Sequence, residues 1–260
     1  MKSLLVAIAL WMTAASVLAG EVPFGAPPAD LADRLARLQA AYPDIIKAYD
    51  KTQLILKSGA TIPVSDGRTD KSFDELLDSP DVDDMFAFDY PAGVKPVAPG
   101  LNADPGRIRV EKLFRAIYGD CRKSEVTPKM RRIAWFGDSV LITTRNGVDR
   151  ALETVARDLE KLPKPMMKYL APSGGTYNCR AIAGTDRMSM HAYGASIDIN
   201  TKYSNYWRWN KAGKDGKIAW TNQIPKEIVD VFERHGFIWG GRWYHYDTMH
   251  FEYRPELLQR

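Results

Sequence analysis

The stretch Ser189-Met190-His191-Ala192-Tyr193-Gly194-Ala195-Ser196-Ile197-Asp198-Ile199 sets a histidine and an aspartate seven residues apart across a glycine turn. Residues 196–199 alternate polar and apolar, so a strand there turns Asp198 to the face opposite Ile197 and Ile199. Further along, Trp239-Gly240-Gly241-Arg242-Trp243 leads into Asp247-Thr248-Met249-His250-Phe251-Glu252. All four histidines, His191, His235, His245 and His250, follow residue 190. Around these segments, helices and short strands alternate irregularly. Val148, Leu152, Val155 and Leu159 recur on one helical face before Pro163, and Pro225 opens a helix with Ile228, Val231 and Phe232 inward and Gly236 past its end. Further helices are expected over Leu31, Leu35 and Leu38, capped by Asp30 and ended by Pro43, and over Arg107–Tyr118. Ser72 with Glu75 forms a capping box. Gln53–Val64 reads as a hairpin turning at Ser58-Gly59, and Arg132–Trp135 with Val140–Thr144 as two strands. The pattern points to an α+β fold rather than a regular parallel α/β fold.

The chain has 260 residues, 45% hydrophobic and 26% charged, enough to bury a real core. Its net charge of +4 is too small to argue for nucleic acid. The first 19 residues read as a cleaved leader, with Lys2, an apolar run Leu4–Leu18, and Val17 and Ala19 before the cleavage point. An exported, soluble monomer, periplasmic or extracellular, with no membrane span after cleavage, is therefore expected. Residues 20–100, which include a Pro-rich start and a Pro/Gly-rich connection from Ala92 to Pro105, are expected to pack on a main domain at 101–260. Export permits a disulfide, and Cys121 and Cys179 are the two cysteines available; two free thiols are the alternative. The acid-rich stretch Asp74–Asp89 lacks EF-hand spacing and reads as solvated surface rather than a calcium site.

Two imidazoles and one carboxylate suit catalytic zinc, leaving a net positive site with a fourth position open to water. Zinc lowers the pKa of its water from about 15.7 to about 7. A second carboxylate must then stay off the metal to take the proton, and Asp247, three residues before His250, can do so. The spacing is not H-E-x-x-H, so a helix-borne site does not apply.

The pair S-x-H-x-x-G-x-x-x-D and W-G-G-x-W-x-x-x-D-x-x-H-F-E resembles the M15 metallopeptidases. These are zinc D-alanyl-D-alanine carboxypeptidases, D,D-dipeptidases and L-alanyl-D-glutamate endopeptidases of peptidoglycan. The likeness is greatest to the branch with phage endolysin-type and bacterial wall-peptide hydrolases. It runs from about Thr176 to Tyr253, more weakly back to Val148, and the segment before Gly100 matches no named family. The resemblance implies a Hedgehog/DD-peptidase-like fold, a small, mostly antiparallel sheet with flanking helices. It also implies that His191, Asp198 and His250 bind zinc, that Asp247 is the general base, and that Arg180 polarises the scissile carbonyl. Ser189 falls where the family has a serine near the substrate. Ser196 departs from the family's alanine two residues before the metal aspartate, though a small residue fits the same space. Trp207, Trp209, Trp220, Trp239 and Trp243 crowd one region; Trp239 and Trp243 are the candidates to line a groove for peptidoglycan peptides. Arg187 and Arg242 are candidate cations for a terminal carboxylate, which a carboxypeptidase needs and an endopeptidase does not. His235 and His245 match no ligand position. A non-catalytic wall- or zinc-binding module of the same fold is the alternative, and it has no need of Asp247.

Overall fold

The amphipathic repeat at Val148 becomes helix α4 (Val148–Leu159), with Val148, Leu152, Val155 and Leu159 all buried. The computed structural model describes residues 28–210, 213 and 216–258; the leader read at 1–19, and most of the Pro-rich segment after it, lie outside these. Among the described residues no helix is long and apolar enough to cross a membrane.

Helix α1 (Leu31–Ala41) buries Leu35 and Leu38, but Asp30 does not cap it. The Asp30 carboxylate instead accepts from Arg34 Nε at 2.6 Å, an ion pair one turn on that outcompetes the amides. Helix α2 (Phe73–Asp78) opens with both bonds of the capping box, Ser72 Oγ accepting from Glu75 N and the Glu75 carboxylate from Ser72 N. Helix α3 (Glu111–Tyr118) starts four residues later than the periodicity predicts. Residues 107–110 are held outside it by tertiary packing: Ile108 is buried against Leu76 and Leu77, and the Arg109 guanidinium reaches the Met188 carbonyl. Helix α5 (Lys226–Arg234) follows Pro225, and Gly236 turns the chain at φ +92° just past it.

Among the described residues, three small antiparallel sheets complete the α+β architecture. The first joins β1 (Ile46–Tyr49), β2 (Gln53–Leu56) and β3 (Thr61–Pro63), and the second is the hairpin β4 (Met130–Trp135) with β5 (Asp138–Thr143). The third places β8 (His250–Tyr253) between β6 (Ser196–Asp198) and β7 (Phe237–Trp239). Register in this sheet fixes its two faces. Ile197, Phe251 and Trp239 lie abreast, as do Ser196, Glu252 and Ile238. The first face meets α5, where Phe232 stacks on Phe251 with 3.8 Å between centroids. The other face carries Asp198, His250 and Glu252. Leu35, Leu54, Phe114, Leu152, Ile197 and Phe251 belong to one continuous core, so the N-terminal segment shares its interior with this sheet.

The acid-rich stretch departs from the solvated surface expected of it. Asp83 and Asp84 are buried, and Lys71, itself buried, brings Nζ within 3.1, 2.8 and 2.6 Å of Asp66, Asp81 and Asp84. The ammonium occupies the middle of the carboxylates, where a cation would otherwise sit. No local spacing rule reveals that pairing, because Lys71 precedes the acidic run.

Cys121 and Cys179 are bridged, 58 residues apart. The bridge ties the end of α3 to the strand-like segment whose Asn178 N donates to the His191 carbonyl. In the chain-entropy model a loop of that size contributes about 4 kcal/mol. The Cys121→Ser/Cys179→Ser protein is expected to unfold at lower urea by that order, and coincident urea transitions for the two proteins would contradict this.

Candidate active site

His191 lies on a single 3-10 turn, Met190–Tyr193, whose first amides are met by the Ser189 hydroxyl accepting from His191 N at 3.3 Å. Gly194 ends the turn at φ +63°, the left-handed region that glycine enters without steric cost. The chain then enters β6, and the antiparallel register sets Asp198 directly opposite His250.

The hydrogen bonds set which nitrogen of each imidazole faces outward. His191 Nδ1 lies 3.1 Å from the Thr176 carbonyl, which can only accept, so Nδ1 donates and Nε2 is left with a lone pair. That Nε2 is buried, without a hydrogen-bond partner, 3.2 Å from Asp198 Oδ2. His250 Nε2 lies 3.1 Å from the Glu252 carboxylate, which leaves Nδ1 to face Asp198 Oδ1 at 2.9 Å. The His191 Nε2 lone pair, the Asp198 carboxylate and His250 Nδ1 therefore converge on one point; His250, set between two carboxylates, holds there a proton that a metal ion would displace. Burial works against a charged His250, yet the bonds to Asp198 and Glu252 push it up to about 10. Burial likewise opposes an ionised Asp198, but the His191 and His250 rings hold it well below the usual carboxylate range. The donor atoms of His191, Asp198 and His250 all lie within 4.8 Å of one another. Tetrahedral zinc with bonds of roughly 2.0–2.2 Å separates its ligand atoms by about 3.3 Å, close to the contacts seen here. The donor set fits such an ion.

Asp247 reaches the same place from the turn before β8. Its backbone N donates to the Gly240 carbonyl at 3.0 Å, and a Cβ on Gly240 would meet the Asp247 carbonyl at 2.5 Å; the glycine lets the two backbones approach. Asp247 Oδ1 is buried with no hydrogen-bond partner. Burial first, then the Asp198 charge, raises its carboxyl to about 6, near the range of a working base.

These four residues line an open cavity of about 110 Å³ that also has Arg180, Ser189, Tyr206 and Trp243 in its wall. Trp239 does not line it. The register that pairs Trp239 with Phe251 turns its indole away from the site, fully buried, with Nε1 donating to the Thr248 carbonyl. Its place is in the core, correcting the substrate-binding role expected for it. Trp243 sits one short turn later, its ring 5.7 Å from that of His250. Arg242 is also corrected: it is buried on Glu233 at 2.8 Å and on the Tyr90 ring. Arg187 pairs with Asp78 at 3.2 Å and stays off the cavity wall. His235 and His245 pair with Asp158 and Asp104.

Glu252 was open to discovery from sequence, since H-F-E sets it on the same face of β8 as His250. It is part of a buried series. Its carboxylate lies 3.1 Å from Arg254 and 3.6 Å from Arg109; Arg254 in turn holds Glu256, which accepts from Tyr42 Oη of the N-terminal segment at 2.7 Å. Burial alone would raise Glu252, but Arg109 and its other cationic neighbours hold it at about 2, so it is always ready to accept from His250. Arg107 and Arg109, which also line the cavity, carry no motif that could have announced them.

Residues 183–253 match the M15 peptidase family model described as D-alanyl-D-alanine carboxypeptidase. This stretch is similar to the M15 peptidases. It contains all four convergent residues and supports peptide-bond hydrolysis as the general activity. No curated protein matches the chain. No solved structure matches it either. In the matched stretch the two loops and the β6–β8 register supply the histidines and aspartates, while Arg180, Arg107 and Arg109 approach from outside it.

Proposed function

We propose that the chain is an exported zinc peptidase that hydrolyses peptide bonds in peptidoglycan stem peptides. His191, Asp198 and His250 hold the metal, and Asp247 is the general base. One observation carries this reading: the inner nitrogens of two imidazoles, each with its outer nitrogen held by an acceptor, converge on Asp198 beside a buried carboxylate that has no partner among the described residues. When bound, zinc supplies a Lewis acid and an acidified water. The Asp247 carboxylate, held off the ligand set by its own turn, takes the water's proton and returns it to the leaving amine. Arg180 at the cavity rim faces the peptide carbonyl and steadies the charge that develops there. Thr176 and Glu252 keep each ring's outer nitrogen protonated, so that the inner nitrogens stay free to bind. A binding module has no use for Asp247, whose burial without a partner costs stability. Export is supported by the leader-like first 19 residues and by the Cys121–Cys179 bridge, which suits an oxidising compartment.

The test is digestion of defined muropeptides by the purified chain, with products read by mass and zinc measured on the same samples. Cleavage of a stem-peptide bond, lost on chelation and restored by zinc, is expected. Intact muropeptides after incubation with fully zinc-loaded protein would remove the peptidase reading.

A further inference from the structure

The segment that leads into α3 grips both elements that carry the candidate histidine ligands, and its contacts fall on alternate residues. Arg107 Nη1 donates to the His245 carbonyl at 3.0 Å, and its guanidinium carbon lies 5.1 Å from the Trp243 ring centroid, ahead of β8. Arg109 Nη2 donates to the Met188 carbonyl at 3.2 Å, while Nη1 stands 3.6 Å from Glu252 Oε2. The Glu111 carboxylate accepts from Met188 N at 2.9 Å and from Tyr193 Oη at 3.1 Å. Between these teeth, Ile108 and Val110 are buried in the two apolar clusters and anchor the segment.

These bonds close on the His191 turn from both ends. Met188 precedes Ser189, whose hydroxyl caps the turn, and Tyr193 is the turn's last residue. One carboxylate therefore ties entry to exit, and residues 109 and 111 take up both backbone groups of Met188. A single 3-10 turn has too few bonds of its own to fix its place, so it depends on its surroundings. On the β8 side, Glu252 Oε2 stands between His250 Nε2, at 3.1 Å, and Arg109 Nη1. The planar Arg109 fork thus has one end on the approach to His191 and the other on the partner of His250.

We propose that Arg109 and Glu111 are positioning residues of the metal centre: they hold the His191 turn against Glu252 and so set the separation of the two histidine donors before an ion binds. This rests on the reading of His191, Asp198 and His250 as zinc ligands. A centre assembled beforehand loses less affinity to ordering. Zinc affinity is thereby set in part by residues 109 and 111, outside the 183–253 match.

The experiment measures the Kd of Zn²⁺ for the full chain by competition with a chelating dye, with far-UV circular dichroism and a urea midpoint on the same samples. Arg109→Lys keeps a cation beside Glu252, but a compact ammonium cannot span both partners. Zinc is expected to bind it about tenfold more weakly, the lower end of what loss of an outer partner costs. Glu111→Ala is expected to weaken binding by about 10–100-fold, and Glu111→Gln to recover part, because its amide oxygen still accepts from Met188 N. Leu152→Ala, which hollows the core at α4, is the reference for lost stability alone. It is expected to lower the urea midpoint and leave zinc affinity unchanged. Folded Arg109→Lys and Glu111→Ala chains that bind zinc as tightly as the unaltered chain overturn the proposal. An equal loss of affinity in Leu152→Ala also overturns it, since instability then accounts for the effect. If Glu111→Ala does not fold, Arg109→Lys decides alone. Affinity that falls as expected in a chain that leaves muropeptides intact removes the peptidase reading and supports this one. No zinc bound by the unaltered chain overturns both.

Discussion

Replacing His191, Asp198 or His250 by alanine is expected to abolish zinc retention and peptide hydrolysis together. The three donors lie on three elements, His191 on a capped turn and Asp198 and His250 at opposed positions of β6 and β8. Loss of an outer partner of a metal-binding histidine typically costs about 10–100-fold in affinity or activity. Loss of a ligand itself should exceed that range, because two remaining donors cannot complete a tetrahedral site. Zinc per chain after dialysis, measured with far-UV circular dichroism on the same samples, separates a lost ligand from a lost fold. Normal stoichiometry in any one variant would remove that residue from the set.

Asp247→Asn should behave differently, keeping zinc while losing about 10²–10⁴-fold in kcat, the usual contribution of a positioned general base. The amide is nearly isosteric and leaves His191, Asp198 and His250 untouched, but it cannot accept the water's proton. Asp247→Glu should recover only part, since the longer side chain displaces the carboxylate from a position set by the close Gly240–Asp247 approach. Zinc lost together with turnover would place Asp247 among the ligands. Zinc kept with near-normal turnover would hand the base role to another group.

The residues of this site were legible from sequence because each belongs to a local pattern. A glycine turn into an alternating strand places His191 and Asp198, and D-x-x-H-F-E places Asp247, His250 and, by its period of two, Glu252. Helix α4 and the Ser72–Glu75 box were equally local. What was not legible depends on pairing across the fold. Trp239 and Trp243 look alike in W-G-G-x-W, and only the register with Phe251 shows that the first faces the core. Arg242 and Arg107 are both single arginines in loops; Glu233 claims one, and the other is left facing the cavity. Strand β1 follows no clean period of two, because its pairing with β2 shifts register between Ile46 and Ala48.

The buried series Glu252–Arg254–Glu256–Tyr42 has a consequence for how separable this region is. Its first two charges lie within or beside the 183–253 match, but the series is completed by residues far outside it: Arg109 pairs with Glu252, the Gly106 carbonyl accepts from Arg254, and Tyr42 donates to Glu256. Glu233 likewise receives Tyr90 and the Gly93 amide. A buried charge stripped of one partner costs about 3–5 kcal/mol, a large share of the stability of a domain. Moved alone into another scaffold, the stretch that bears the ligands would carry stranded carboxylates and guanidinium groups with it. The 183–253 stretch is therefore not a portable cassette: residues from Tyr42 to Arg109 are its electrostatic counterpart and travel with it.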